Sequence, residues 1–100
     1  MIILRFKVQC QPDKADQLMA AFQDVVGPSR AVDGVISFDI GRDVTDPNSF
    51  IATEVFEDGA ARERQELLPE VTRVMELLPE SVAAPPDATI FEIAKSEAAL

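Results

Sequence analysis

The chain has 100 residues, 47% of them hydrophobic, with 18 acidic residues against nine basic ones and a net charge of −9. That length and apolar content describe one domain with its own core, and an acidic balance with no basic cluster excludes a nucleic-acid partner. There is no His, Trp or Tyr and only one cysteine, Cys10, which removes His-based acid–base catalysis, Ser-His and Cys-His pairs, the usual zinc sets and any internal disulfide.

Residues 3 to 10 alternate, with Leu4, Phe6 and Val8 against Arg5, Lys7 and Gln9, the period of a strand with two distinct faces. The start has no basic n-region and no small-residue cleavage site, so it reads as a strand and not a signal peptide. No apolar run approaches the roughly 18 residues of a membrane span. The expectation is a cytoplasmic protein with no membrane partner. Cys10 shares the parity of Val8 and reads as a small buried apolar residue rather than a reactive thiol.

Pro12 stops the ladder, and Asp13 is placed to cap a helix whose first turn holds Asp16. Leu18, Met19, Phe22, Val25 and Val26 repeat at helical spacing. Pro28, after Gly27, predicts a kink or break, then a last turn through Ser29 to Ala31, with Gly34 left-handed at the end. Ile36, Phe38 and Ile40 share one side of a second strand. Asp46-Pro47-Asn48 reads as the turn of a hairpin over 35–57, closed by the strand FIATEVFE. Asp58 caps the next helix, Pro69 interrupts it, and Glu70 sits in the first turn of a new segment facing solvent. Val71, Val74, Met75 and Leu78 form that segment's apolar stripe. A short fourth strand, TIFEIA, follows, and KSEAAL reads as a flexible tail.

The order strand, helix, strand, strand, helix, strand predicts an α+β, ferredoxin-like βαββαβ domain over 1–94, with residues 95–100 outside it. Both helices then cover one face of a four-stranded antiparallel sheet. The other face is only partly polar: it carries Ile51, Thr53 and Val55 from strand three and Phe91 from strand four. Two helices cannot cover both faces, so a second copy over the open one, a two-fold homodimer, is expected. Arg5 and Lys7 lie on that face, placed to pair with acids such as Asp39 across the dimer.

Four stretches carry a family resemblance: RFKVQCQPDKADQL, PSRAVDGVISFDIGRDVTDPNSF, EVFED and PPDATIFEI. With these the chain resembles the antibiotic biosynthesis monooxygenase (ABM) domain family of small dimeric α-β barrels, from Met1 to about Ile93. The most specific part runs from Gly27 to Gly34, where Pro, Ser, Arg, Ala and a turn with Gly precede the second strand. The resemblance implies a dimer with sheets packed face to face and a cleft between sheet and helices in each subunit. It also implies oxidation of a small aromatic ligand, such as a hydroquinone or anthrone, by molecular oxygen without metal, flavin or haem. Phe56 stands where the family usually has Trp. Gln65 and Glu70 stand where it often has His, and Val71 where it has Phe; Pro69 is kept. A related haem-degrading branch needs a His and a strand-one Asn. This chain has no His and carries Leu4 near the Asn position, which excludes haem chemistry.

The candidate pocket residues are Leu4, Phe6, Phe22, Phe38 and Phe56, with Gln65, Val71 and Met75. The Phe rings and Met75 read either as packed core or as an apolar pocket for a flat ligand. Gln65 and Glu54 are the candidate catalytic groups. Glu54 shares the inward parity of Ala52 and Phe56, so it either pairs with Arg30 or Arg42, serves as a base with a raised pKa, or is exposed by strand twist. Two functions remain open: a cofactor-free oxygenase, or a non-catalytic dimeric barrel that binds a small apolar ligand or fills a stress or accessory role. Whether Gln65 and Glu54 face a cavity separates them.

Overall fold

The computed structural model describes residues 1–100. Strand β1 (Ile2–Gln9) passes through a 3-10 turn at Pro12–Lys14 into helix α1 (Ala15–Arg30). Strands β2 (Val35–Asp43) and β3 (Asp46–Phe56) form a hairpin. Helices α2 (Gly59–Glu66) and α3 (Pro69–Ser81) follow, and β4 (Asp87–Glu92) ends the regular structure. The four strands pair antiparallel in the order β2-β3-β1-β4. This is the ferredoxin-like α+β arrangement, with its second helix divided at Leu67–Leu68. No helix is long and apolar enough to cross a membrane.

The two-residue strand period sets the core. Val8 lies opposite Phe50 and Phe6 opposite Ala52, and this inner face receives Leu18, Ala21, Phe22 and Val25 from α1 and Val74 and Leu78 from α3. Phe22 meets Phe50 edge to face, with ring centroids 5.2 Å apart, the arrangement the ring quadrupoles favour. Cys10 is sealed in the same cluster, and burial pushes its thiol pKa up although Arg42 pulls it down.

Several local expectations change. The 3-10 turn starts the first helical region and no side chain caps α1, so Asp13 is not its cap. Asp58 does cap α2, its Oδ1 accepting from the Ala61 N–H at 2.9 Å. Helix α1 runs unbroken through Pro28 to Arg30. The ring removes one donor to the carbonyl four residues back, and that carbonyl belongs to exposed Asp24, where water can satisfy it. Gly34 does take a left-handed conformation, with φ of 87°.

In β2, Val35 pairs with Phe56 and Ser37 with Val55. Ile36 is the extra residue of a β-bulge. It turns outward, 52% exposed, while Val35 takes the inner position. The hairpin turn is Val44–Thr45, not Asp46-Pro47-Asn48. Asp43 Oδ1 fixes it by accepting from Thr45 N–H at 2.9 Å and Thr45 Oγ1 at 2.7 Å. Asp46–Asn48 instead forms an irregular start to β3, gathered by the Asp46 carboxylate, which accepts from Asn48 N–H at 3.0 Å and Ser49 Oγ at 2.6 Å.

On the sheet face away from the helices, Ile3, Ile51 and Val55 are half-buried and Phe91 is exposed. Two ion pairs form there within the chain, and Arg5 makes none. Lys7 pairs with Asp43 at 3.3 Å, and Asp39 pairs with Arg30 at 2.9 Å rather than with Arg5 or Lys7.

Candidate functional site

Helix α3 packs along α1 and comes close to the sheet backbone at few points. Between α3 and the β1–β4 side of the sheet lies a cavity of about 450 Å³, within the range of about 300–1,000 Å³ that suits small molecules. Leu4 and Phe6 of β1, Phe38 of β2 and Ala88 of β4 line it from the sheet, and Phe22 and Val25 from α1. Helix α3 contributes Val71, Val74, Met75 and Leu78. The polar lining is confined to Glu54 of β3 and Gln65 and Glu66 of α2.

Seven candidate pocket residues therefore meet in one place: Leu4, Phe6, Phe22, Phe38, Gln65, Val71 and Met75, with Glu54 among them. Phe56 is the exception. It is 0% exposed, flanked in the sheet by Ile2 and Val35, and belongs to the core rather than to the cavity wall. Met75 is 60% exposed, so it is a wall at the rim and not a filler of the core. Glu70 is half-buried instead of solvent-facing, its Oε2 sealed without a partner, and it does not line the cavity.

Two adjacent residues of α2 do different work. Gln65 is 3% exposed, and its Nε2 donates to Ser29 Oγ at 3.1 Å. Ser29, in the last turn of α1, is itself fully buried. This bond fixes the amide and leaves Gln65 Oε1, which accepts from no protein donor, as the free acceptor of a residue that lines the cavity. Glu66 is exposed and lines the cavity, held by Arg62 one turn earlier at 2.9 Å.

Glu54 sits in register between Leu4 and Phe38 on the inner face of the sheet. Burial against these apolar neighbours, and next the negative charge of Glu66, push its carboxyl up to about 7, with Arg62 pulling the other way. The expected alternatives of Arg30 and Arg42 are engaged elsewhere. Arg30 holds the Phe38 carbonyl and Asp39, and Arg42 lies over the Phe50 ring, 5.1 Å from its centroid. The Arg62–Glu66 pair escaped sequence reading, although opposite charges four residues apart were its signal.

Residues 1–77, from β1 through most of α3, match the sequence profile of the family described as Antibiotic biosynthesis monooxygenase (ABM). The chain belongs to the antibiotic biosynthesis monooxygenase family.

Two relatives of this ABM protein are "Uncharacterized protein sll1783" of Synechocystis sp. (strain ATCC 27184 / PCC 6803 / Kazusa) and "Putative monooxygenase YcnE" of Bacillus subtilis (strain 168). The first is 30% identical over 96% of this chain and 65% of its own length. The second is 31% identical over 61% of this chain and 64% of its own length. The match thus spans less than two thirds of either relative. Among solved structures, Rv0793 from Mycobacterium tuberculosis superposes with a TM-score of 0.88 at 18% identity, covering 97% of this chain and 98% of that one. At that identity the likeness speaks to the fold. Within the shared fold, what this ABM protein offers chemically is a mostly apolar cavity with three Phe side chains in its lining, the free Gln65 acceptor, the raised Glu54 carboxyl and Glu66 held by Arg62.

Proposed function

We propose that this ABM protein is a monooxygenase that oxidises a small electron-rich aromatic, of the quinol or anthrone type, with molecular oxygen. The observation that carries this reading is that Glu54 and Gln65 both line the otherwise apolar cavity. Oxidation of a phenol begins with a proton to remove, and the Glu54 carboxyl among Leu4, Phe38 and α2 is placed to take it. The apolar walls exclude water and hold a flat ring in one orientation. The Gln65 acceptor gives a substrate hydroxyl a fixed partner.

Once deprotonated, such a ring is rich enough in electrons to reduce oxygen itself, so this chemistry asks for no metal, flavin or haem. In the anthrone case the ring CH₂ loses two hydrogens and gains one oxygen atom, and the second oxygen atom leaves as water. A second copy of the chain covering Ile3, Ile51, Val55 and Phe91 completes the reading. A homodimer mass in sedimentation supports that part, and a single subunit removes it.

Oxygen uptake over a panel of quinols and anthrones is the test, run with wild type and Val71→Trp, which fills the cavity from its α3 side. Uptake above the buffer blank in wild type that Val71→Trp abolishes supports the proposal. Uptake equal to the blank across the panel rejects it.

A further inference from the structure

The cavity contains two carboxyl groups, Glu54 and Glu66, and no Lys or Arg lines it. The nearby guanidinium, Arg62, is bound to Glu66 at 2.9 Å. An anion entering this space meets two like charges, and the one nearby counter-charge, Arg62, lies outside the lining and is already shared with Glu66, although its buried Nε has no partner, in a setting where an unpaired buried charge is costly. A neutral aromatic hydroxyl meets the opposite situation, because a carboxylate is an acceptor and a hydroxyl a donor. We infer that Glu54 is both the specificity determinant and the catalytic base of the site: the cavity admits aromatic alcohols as neutral molecules, refuses aromatic carboxylates, and lets a phenolate form only by passing its proton to Glu54. This deepens the proposed function and rests on it for the reaction that follows deprotonation.

Charge balance supports the second half of that statement. A phenolate arriving from water adds a negative charge to a cavity that already holds two acids. A phenol that gives its proton to Glu54 adds none. The phenolic O–H bond breaks, its electron pair stays on the ring oxygen, and the proton joins a Glu54 carboxylate oxygen. Net charge in the cavity is unchanged, so there is no further desolvation cost. The groups that set the ionisation of Glu54 are Glu66 and Arg62, both on α2. Its strand neighbours Leu4 and Phe38 are apolar, and α3 presents Val71, Val74, Met75 and Leu78 to the cavity. A carboxyl held near 7 is a mixture of acid and base at neutral pH, which suits a group that must take a proton and give it back.

The probe is 2-naphthol, compared with 2-naphthoate, which has the same ring system and a carboxylate in place of the hydroxyl. Wild type binds 2-naphthol about tenfold more tightly than 2-naphthoate at pH 8, the ratio expected from one charge-assisted hydrogen bond gained against a like-charge contact. 2-Naphthol becomes a strong acid when excited; in bulk water it passes its proton to water, and held away from water it passes it only to a base in contact, so the emission is read at saturating protein and compared with Glu54→Gln. Bound to wild type at pH 8 it therefore emits as naphtholate, at pH 6 less so, and bound to Glu54→Gln at either pH it emits as neutral naphthol. Glu54→Asp keeps a carboxylate and recovers part of the naphtholate band.

Equal binding of the two probes by wild type overturns the specificity half without any variant. A naphtholate band that is absent from wild type at pH 8, or unchanged in Glu54→Gln, overturns the base. None of these readouts involves oxygen, so they fail or succeed separately from the oxidation itself.

Discussion

Gln65 Nε2 donates to Ser29 Oγ at 3.1 Å, and both side chains are closed to water, so the end of α1 and the end of α2 are joined by one buried polar bond. Removing the serine oxygen leaves the amide donor without a partner. An unsatisfied buried donor costs about 1–3 kcal/mol. Ser29→Ala should therefore lower stability by about 1–2 kcal/mol in urea unfolding. The double substitution Ser29→Ala, Gln65→Leu should recover part of that loss, because no orphaned donor remains. A double mutant no more stable than Ser29→Ala would show that the bond is not the cause.

Two glycines make different predictions. Gly34 has φ of 87°, and a Cβ there would lie 2.6 Å from the Ala61 Cβ. The loop before β2 thus rests directly on α2, braced by Arg64, which donates to the Asp33 carbonyl at 2.8 Å. Gly34→Ala should cost more than about 1 kcal/mol, from strain and clash together. Gly27, inside α1, has no atom beyond its chain neighbours and its own helix backbone within 4 Å of the position a Cβ would take. Gly27→Ala gains about 0.5–1 kcal/mol of helix propensity, but its Cβ meets the ring of Pro28, which disfavours a helical non-glycine residue before it, so the net change should lie within about 0.5 kcal/mol of zero. Thermal unfolding of both variants tests the pair, and a loss at Gly27→Ala as large as that at Gly34→Ala would contradict this account.

The sequence made some of this architecture readable and hid the rest, for physical reasons. Strand parity places Leu4, Phe6 and Glu54 inward because β1 and β3 keep an unbroken two-residue register, and Phe38 because it lies in the regular stretch of β2 after the bulge. Parity failed at Ile36 because a bulge inserts one residue without a local sequence mark. The hairpin turn lies earlier than local pattern suggests because Asp46-Pro47-Asn48 has turn chemistry, but Asp43 supplies a tighter anchor three residues earlier. Phe56 and Phe38 share an inward parity and differ only in what covers them: α2 lies over the end of β3 that carries Phe56, while Phe38 reaches the cavity. That distinction depends on where α3 stands off the sheet, which no local pattern encodes. The polar partner of Gln65 was equally invisible, since Ser29 is 36 residues away.

Asp43 predicts an acid-sensitive hairpin. Hydrogen bonds from Thr45 N–H and Oγ1, then Lys7, hold its carboxyl down at about 2, against an ordinary value of 3.8. A depressed folded-state value means that the ionised form favours folding. Its contribution is fully present above about pH 4 and is lost as pH falls from there through about 2. Asp43→Ala should weaken the turn at pH 7 and flatten the stability profile in that acid range. Faster amide exchange at Thr45 and its neighbours would report the loosened turn. An acid profile identical to wild type would show that Asp43 does not carry the effect.

Glu54 predicts the reverse dependence at higher pH. Its carboxyl is raised from 4.5 to about 7 in the folded chain. Between those values the folded state binds more protons than the unfolded one, so stability falls as pH rises from about 4.5 to about 7 and levels off above. The full shift corresponds to about 3 kcal/mol, and partial access of solvent through the cavity mouth reduces the expected loss to roughly 2 kcal/mol. Glu54→Gln keeps the shape and removes the titration. It should match wild type near pH 4.5 and exceed it near pH 8, with the two profiles parting through the interval between. Urea unfolding at half-unit pH steps measures this directly. Parallel profiles would place the Glu54 carboxyl in water, and the cavity would then lose the buried acid on which its proposed chemistry depends.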